Sequence, residues 1–475
     1  MQSLFLEPKL TGQQAQLLAD RDLLWQIYRS VGQATNIVFP QIVVENLRLF
    51  DNALSELGVK SEIYYAHKPN KSISIARELA LLKSAKIDIA SYGELKSALN
   101  AGFNGSRIEA TGPKDSFFLA QLLLHKATIN IDSLSELQKI INLKKKIGFE
   151  DQTQIFVRLA KPSGLNTEKD SRFGIPDNEI DSLFSELDKY RAEIRFKGFS
   201  YHQNSYTPSS RILALERTIL LTLEALKKGL TPESINIGGG FKINYIANRN
   251  QWQDYVSGVI AGILGTGKHL GWNKTGLGYW NENGKIRGSQ NFMNFYQNED
   301  QYEQLSSLLS QKSTKLGGTF ASTLSEMMLS LCIEPGRSML DQAGMTIAEI
   351  IDIKKSANGE NILVMNINRS QLDSFEQEYM LDPILVKPLE SKEIETSDAF
   401  LAGNLCLGSD FISKRRVFFK SRPEVGDLLI FTNTASYLMD FAESNTLQQP
   451  IAPKIAVYKK EDKLFFTRDE NYFSI

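Results

Sequence analysis

Strand-like and helix-like segments alternate through roughly the first two thirds of this chain. The apolar, β-rich runs are Glu62–Ala66, Ile87–Ser91, Arg107–Thr111, Thr128–Asp132, Gln154–Leu159, Ile194–His202, Ser234–Ile237 and Met328–Ile333. Amphipathic helical patterns lie between them, at Ile73–Lys83, Tyr92–Ala101, Ser116–His125, Leu134–Lys146 and Leu213–Lys228. Eight strands that alternate with helices predict a parallel (β/α)₈ barrel, because neighbouring parallel strands need a crossover connection.

After Arg337 the pattern changes to short strands separated by turns. The strand-like runs there are Thr346–Lys354, Asn361–Asn368, Ala399–Cys406, Asp427–Thr432 and Lys454–Tyr458. A helix is expected only around Tyr437–Ser444, so this part is predicted to be an all-β sandwich or barrel. We therefore expect a barrel over residues 36–340 and a β domain over 341–475, with residues 1–35 packed onto the β domain.

One connection is much too long for a barrel loop. It runs from Gly240 to Glu334, and its middle, residues 262–298, is rich in Gly, Asn, Trp and Tyr. Connections of this length are usually functional lids or disordered inserts. The aromatic content favours an ordered insert, which we place at about residues 245–320.

Composition and charge narrow the class of protein. The net charge of −1 provides no field that would attract nucleic acid or an anionic membrane. Cys332 and Cys406 are the only cysteines, which fits a reducing compartment rather than a disulfide scaffold. Residues 1–18 show no secretory signal, and no run of 18 apolar residues could span a bilayer. We expect a cytoplasmic protein that binds a small molecule and holds no metal.

Lys68 stands where the first predicted barrel strand ends. The segment Tyr64-Tyr65-Ala66-His67-Lys68-Pro69 is an aromatic-rich strand stopped by a proline. An amine at that position opens toward a pocket, where it can lose solvation and condense with an aldehyde. A solvated lysine at a strand end is the alternative interpretation of this segment.

Three later strand ends carry residues with complementary chemistry. Gly238, Gly239 and Gly240 follow the seventh strand, where bare backbone N–H groups can wrap a phosphate. Glu334 and Arg337 follow the eighth strand, and can pair with a pyridine nitrogen and a phosphate. After the sixth strand, a histidine and a serine can stack on a flat ring and bond its phosphate; they are His202 and Ser205.

Ten short motifs occur in a fixed order along residues 35–440. They are YYAHKPN, IDIASYGEL, RIEATGPKD, INIDSLSEL, SRFG, FSYHQNS, INIGGGF, IEPGR, NLCLGSD and TASY. This series resembles the fold-type III pyridoxal-phosphate decarboxylases, the family of diaminopimelate, ornithine and arginine decarboxylases. The resemblance implies pyridoxal 5'-phosphate as cofactor and a homodimer with active sites at the subunit interface. The insert at about 245–320 lies outside it.

The resemblance implies a role for each matching residue. Lys68 matches the lysine that forms the internal aldimine, and Glu334 the carboxylate beside the pyridine nitrogen. Cys406 matches a cysteine that the neighbouring subunit supplies to reprotonate the substrate carbon. The other residues implied to bind the cofactor are Asp88, Arg158, His202, Ser205, Gly238, Gly239, Gly240, Arg337 and Tyr437.

The chain departs from the family at the substrate site. The family cysteine is followed by an acidic residue that reads the distal ammonium of the substrate, whereas Leu407 stands here. Because a buried ammonium without a partner is unfavourable, we expect a substrate other than free ornithine, lysine or diaminopimelate, such as a neutral, anionic or conjugated amino acid. Asp410 is the residue that could replace the missing acid, and Arg369 is the candidate for binding the substrate carboxylate.

Two other functions stay open at this point. Amino-acid racemases share the barrel-plus-β architecture, but typically place an arginine where Glu334 stands. A catalytically inactive regulator of a decarboxylase is the second alternative, and retention of Lys68, Glu334 and Cys406 argues against it. Decarboxylation of an amino acid at its α-carbon is the leading prediction.

Overall fold

The computed structural model describes residues 4–160, 171–203, 207–372, 378–388, 395–440 and 444–473. The helices in these residues are α1 Gly12–Ala19, α2 Arg21–Val31, α3 Pro40–Glu56, α4 Ile73–Leu81, α5 Tyr92–Ala101, α6 Ser116–Leu124, α7 Leu134–Ile147, α8 Ile180–Lys189, α9 Pro208–Lys227, α10 Arg249–Ile263, α11 Gln301–Leu309 and α12 Phe320–Glu326. The strands are β1 Thr35–Val38, β2 Ser61–Ala66, β3 Lys86–Ile89, β4 Ile108–Ala110, β5 Thr128–Ile131, β6 Thr153–Arg158, β7 Ile194–Ser200, β8 Ser234–Asn236, β9 Tyr279–Glu282, β10 Lys285–Gly288, β11 Ser330–Ile333, β12 Gly344–Lys355, β13 Asn361–Met365, β14 Ile384–Val386, β15 Ser397–Ala402, β16 Phe411–Phe419, β17 Leu428–Thr432, β18 Lys454–Lys460 and β19 Lys463–Arg468.

Eight parallel strands close into a barrel in the order β11-β2-β3-β4-β5-β6-β7-β8. All eight come from the runs that the sequence predicted, so the (β/α)₈ prediction is confirmed. Along β3, β4, β5 and β8 a polar residue lies between apolar neighbours, as in Ile108-Glu109-Ala110. Since side chains alternate along a strand, the apolar neighbours face the helices and the polar residue faces the barrel interior.

The connecting helices begin and end at the residues that the sequence indicates. Ser91 and Ser133 cap α5 and α7 by accepting hydrogen bonds from backbone N–H groups of the first turn. Both helices end at glycines in the left-handed conformation, Gly102 and Gly148. The helix predicted from Leu213 begins five residues earlier, at Pro208, because proline is well suited to a first helical position.

The β domain contains a nine-stranded sheet with the order β16-β15-β13-β12-β1-β18-β19, while β17 pairs with β12 and β14. Strand β1 comes from the N-terminal part of the chain and pairs antiparallel with β12 and parallel with β18. The predicted combination of a barrel with a strand-rich second domain is therefore confirmed. The residue limits proposed for the two domains stay a prediction.

The insert is folded and belongs to the core of the β domain. It contains α10, the β9–β10 hairpin and α11, none of which the sequence pattern had indicated. Its aromatic residues Trp252, Tyr255, Phe292 and Phe295 share a hydrophobic cluster with β17 residues such as Phe431. The helix expected around Tyr437–Ser444 is a turn over 435–440, and residues 441–443 lie outside the described part. None of the described helices is long and apolar enough to cross a membrane.

Candidate active site at the carboxyl ends of the barrel strands

The predicted site residues of the barrel share one of its faces. Lys68 lies just past β2, His202 just past β7, the glycines 238–240 just past β8, and Glu334 directly after β11. All barrel strands run parallel, so their carboxyl ends meet at the same opening. Residues that are far apart along the chain are thereby brought around one pocket mouth.

A loop of the β domain is tied to the lysine turn. The Tyr437 backbone N–H donates to the Pro69 carbonyl oxygen at 2.9 Å, and the Asn70 side chain donates to the Ala435 carbonyl at 2.7 Å. Lys68 is exposed, and its Nζ lies 5.9 Å from the center of the Tyr437 ring. These bonds fix the orientation of the β domain relative to the turn that carries the lysine.

Tyr437 and Arg337 form the side of the pocket next to Lys68. Tyr437 has a φ of +67°, a left-handed conformation that costs an aromatic residue on the order of 1 kcal/mol or more. Its ring lies 5.0 Å from the Arg337 guanidinium. The Nη1 atom of Arg337 is buried and has no hydrogen-bond partner among the described residues. Because buried donors are nearly always paired, this geometry indicates a site for an anionic group.

The glycine loop leaves no room for side chains. A Cβ atom on Gly238 would lie 2.7 Å from the His202 Nδ1, and one on Gly239 would lie 2.4 Å from the Glu334 carbonyl oxygen. On Gly240 it would lie 2.4 Å from a neighbouring carbonyl oxygen, and both Gly238 and Gly240 have positive φ. The Gly239 N–H donates to the His202 Nδ1 at 3.2 Å, which holds the imidazole against the loop. Only glycines allow the backbone to approach so closely here.

Glu334 is held by an amide rather than by a direct ion pair. The Asn236 Nδ2 donates to its Oε1 at 2.6 Å. Burial raises the pKa of Glu334, while the Asn236 hydrogen bond and the positive charges of Arg158 and Lys68 oppose that rise. Arg158 lies 4.0 Å from the Asp132 carboxylate. A cation placed next to Glu334 would favour its ionised form.

A layer of polar residues lies just inside the barrel mouth; the sequence predicted Asp88 as a site residue, but not Glu109, Asn130 or Asn236. Glu109 of β4 is fully buried and lies beside Asp88 of β3 in the strand register. Asn130 and Asn236 both donate to the Glu109 carboxyl group, and Thr111 donates to Asp88 at 2.9 Å. The repeated triplets of a polar residue between two apolar ones were the signal that could have revealed this layer.

The remaining predicted residues form a second group in the β domain. Asp410 is buried, and its two carboxylate oxygens accept the backbone N–H groups of Arg369 at 2.9 Å and Leu405 at 2.7 Å. Cys406 is an exposed free thiol, and Leu407 is 48% exposed. They belong to the loop between β15 and β16, and not to the barrel. Ser205 lies outside the described residues.

The residues at the barrel mouth fit pyridoxal phosphate. Its phosphate requires hydrogen-bond donors such as the unpaired Arg337 Nη1, and its aldehyde requires an amine such as that of Lys68. The Gly238 and Gly239 N–H groups already donate to the Asn236 Oδ1 and the His202 Nδ1, so among the described hydrogen bonds the Gly240 N–H is the one that the glycine loop leaves for a phosphate. The ring nitrogen requires a carboxylate, for which Glu334 is placed. The individual residue assignments stay predictions.

Comparison with known proteins identifies the family. The model of the pyridoxal-dependent decarboxylase pyridoxal-binding domain matches residues 41–271. An uncharacterized protein, y4yA of Sinorhizobium fredii, is 31% identical over 460 residues, which are 95% of this chain and 94% of that protein. Diaminopimelate decarboxylase of Staphylococcus aureus is 24% identical over 458 residues, 92% of each chain.

Solved structures show the same fold. The structure of Helicobacter pylori diaminopimelate decarboxylase, complexed with L-lysine, matches with a TM-score of 0.67 at 18% identity, over 94% of this chain and 96% of that one. The resemblance inferred from the ordered motifs is thus confirmed by sequence and by fold. This chain belongs to the fold-type III pyridoxal-phosphate-dependent decarboxylase family, and pyridoxal 5'-phosphate is its cofactor.

Proposed function

We propose that the protein decarboxylates an amino acid, or an amino-acid conjugate, at its α-carbon, with Lys68 binding the cofactor aldehyde covalently. The observation that carries this proposal is the convergence of Lys68, Glu334 and an unpaired Arg337 Nη1 on one face of the barrel. When bound, pyridoxal phosphate supplies the electron sink for the bond that breaks when carbon dioxide leaves. The protein itself has to bind and orient the cofactor and the substrate, and to donate a proton to the substrate carbon.

Each part of that work has a candidate residue. Arg337 and the Gly240 N–H would bind the phosphate, the close-packed Gly238 and Gly239 would leave room for it, and Tyr437 would close the pocket beside them. Glu334 would keep a proton on the ring nitrogen, since an ionised carboxylate next to that nitrogen favours its protonated form. His202, held by the Gly239 N–H, would pack on the ring. Asp88 and Arg158 would complete the set on the cofactor's side of the barrel.

We also propose that Cys406 donates a proton to the substrate carbon in the site of a neighbouring subunit. The thiol is exposed on the β15–β16 loop, so it is available to a second copy of the chain. A homodimer is then required for activity.

Mixing the inactive variants Lys68→Ala and Cys406→Ala should restore part of the activity, since one site of each mixed dimer keeps both groups. No recovery after subunit exchange, or full activity of a monomer, would refute shared sites.

The loop that carries Cys406 supports a substrate without a free distal ammonium. Leu407 offers an apolar, exposed surface there, and it cannot pair with a cation. Both carboxylate oxygens of Asp410 already accept backbone N–H groups, so a substrate ammonium would have to compete with the bonds that shape the loop. Trp272 of the insert packs on the strands that flank this loop, at 4.8–5.0 Å from two of their rings. These contacts favour a neutral, anionic or conjugated side chain.

The proposal is tested by following carbon dioxide release over a panel of free and conjugated amino acids. We expect release with at least one neutral, anionic or conjugated substrate, and no comparable turnover of ornithine, lysine or diaminopimelate. Reduction with borohydride followed by mass spectrometry should place the cofactor on Lys68, and the Lys68→Ala variant should lose both the adduct and the activity. Exchange of the α-proton without carbon dioxide release would instead indicate a racemase.

A further inference from the structure

A fully buried carboxyl group below the pocket has no part in the function described so far. Glu109 of β4 has no exposed surface. The Asn130 Nδ2 donates to its Oε1 at 2.9 Å, and the Asn236 Nδ2 lies 3.2 and 3.3 Å from its two oxygens. Among the described residues no lysine or arginine forms an ion pair with it. The hydrogen bonds that Glu109 accepts from the described side chains therefore come from two neutral amides.

Asn236 joins this carboxyl group to Glu334. Its Nδ2 lies 2.6 Å from the Glu334 Oε1, and its Oδ1 accepts the Gly238 N–H at 2.9 Å. The bond from Gly238 fixes which end of the amide is the nitrogen. An amide nitrogen carries two N–H groups, so one serves Glu334 and the other serves Glu109. The two acids are therefore linked through a single oriented amide.

Two buried acids that share one amide favour holding one negative charge between them. Burial raises the pKa of Glu109 well above its usual range, and the negative charge of Glu334 raises it further, while the charge of Lys197 and the hydrogen bond from Asn130 oppose the rise without cancelling it. The pKa of Glu334 is raised by burial too, but the bond from Asn236 and the charges of Arg158 and Lys68 favour its ionised form. The titratable groups that face Glu109 from the surrounding strands are Glu62, Tyr64, Asp88, Lys197, Cys332 and Glu334.

We propose that Glu109 is a positioning residue that carries a proton beneath Glu334 and, through Asn236, keeps Glu334 ionised and oriented. This inference rests on the proposed function, in which Glu334 meets the ring nitrogen of the cofactor. The proton on Glu109 leaves Glu334 as the single anion of the pair. A neutral amide at position 109 can replace the acid in this role, whereas an apolar side chain cannot.

Two variants of Glu109 separate these possibilities. Glu109→Gln keeps an acceptor for Asn130 and Asn236 and carries no charge, as the protonated acid does. Glu109→Leu removes the acceptor, so the side-chain amides of Asn130 and Asn236 lose this hydrogen-bond partner. Glu62→Gln is the matched control, because Glu62 is another glutamate of a barrel strand, with a side chain only 15% exposed. Burial raises the pKa of Glu62, but the charges of Lys197 and Lys86 outweigh it and bring the pKa to about 2.

The first measurement uses the full-length protein without cofactor. The infrared spectrum of the wild type at neutral pH should contain carboxylic-acid C=O absorption that is absent from Glu109→Gln. The Glu62→Gln control should remove no such absorption, because that residue is ionised. If Glu109→Gln leaves the carboxylic-acid absorption unchanged, Glu109 is ionised and the proposal fails. This result is obtained even if the leucine variant does not fold.

The second measurement follows the isotope-labelled ring nitrogen of bound pyridoxal phosphate by NMR across pH. Wild type and Glu109→Gln should keep the ring nitrogen protonated over the same pH range. In Glu109→Leu the ring nitrogen should lose its proton at a pH that is lower by about one unit or more, as expected when its charged hydrogen-bond acceptor is misplaced. Equal shifts in both variants, or none in Glu109→Leu, would overturn the proposal. Neither measurement needs turnover, so a protein that binds the cofactor but releases no carbon dioxide would refute the proposed function alone.

Discussion

Replacing His67 with leucine should make the protein less sensitive to acid. His67 precedes Lys68 and is only 2% exposed, and neither ring nitrogen has a hydrogen-bond partner among the described residues. Burial lowers the pKa of His67 to about 4, against an opposing effect of Asp440. Its Nδ1 lies 3.9 Å from the Glu94 carboxyl, too far for a hydrogen bond, and burial raises the pKa of Glu94 as well. The imidazole is therefore buried neutral.

The size of the effect follows from proton binding. The unfolded chain protonates this histidine near its ordinary pKa of about 6.5, and the folded protein does so only near 4. Between these values the unfolded state binds more protons, so stability falls as pH falls. The full loss in the free energy of unfolding is about 3 kcal/mol, because each pH unit between the two pKa values corresponds to about 1.4 kcal/mol. About 2 kcal/mol of this loss should appear between about pH 7 and about pH 5.

Urea denaturation of the wild type and His67→Leu at both pH values measures the difference. The cofactor is removed first, because its binding to the folded state would add its own pH dependence. We expect the free energy of unfolding of the wild type, relative to the variant, to fall by about 2 kcal/mol on acidification. The exposed His125, replaced by leucine, is the control for losing a histidine elsewhere. A wild-type-minus-variant difference that stays constant with pH would show that His67 is not held neutral.

Three further changes test the pocket and the insert. Arg337→Met should weaken cofactor binding roughly tenfold to a hundredfold in a fluorescence titration, the loss expected for one or two charged hydrogen bonds. Gly239→Ala should abolish cofactor binding, because its Cβ would lie 2.4 Å from a backbone oxygen, whereas Gly408→Ala, with open space around it, should bind normally. Trp272→Ala should destabilise the protein by about 2 kcal/mol in thermal melts and expose the β15–β16 loop to proteases, while Trp280→Ala, at an exposed position, should change stability by less than about 0.5 kcal/mol.

The barrel could be predicted from the sequence because its signals are local. Each strand is a short apolar run, and each helix is bounded by residues such as Ser91 and Gly102 that favour the start or end of a helix. Strand β1 was missed because it is four residues long and pairs with β12 and β18, which are more than 300 residues away in sequence. Pairing at that distance leaves no trace in a local pattern. The insert was predicted as an ordered segment, but its helices were missed for a similar reason, since they are stabilised by packing on the β domain.

Much of the candidate site could also be anticipated, because its residues lie in turns that follow strands. Lys68, Glu334 and the glycines each stand at such a turn, and parallel strands bring them together. Glu109 was not anticipated, because a glutamate inside a strand is ordinarily taken to face solvent. Only the closure of the barrel shows that it points inward. The same closure makes its charge state depend on titratable residues from four other strands, β2, β3, β7 and β11.

The interior of the barrel holds an ion-paired group of Glu62, Lys86 and Lys197 apart from the acids at the carboxyl ends of the strands. Near the amino ends of the strands, Glu62 accepts from Lys86 and from Lys197, the latter at 3.0 Å, and it is ionised. Tyr64, Phe156 and Cys332 form a buried cluster next to it, and the Tyr64 hydroxyl donates to Glu62 at 3.1 Å. The acids of the carboxyl ends are thereby kept from pairing directly with those lysines. Lys86 and Lys197 are paired with Glu62, and among the described residues they form no ion pair with Glu334. In the proposed function Glu334 is therefore available to the cationic ring of the cofactor, as decarboxylation on pyridoxal phosphate requires.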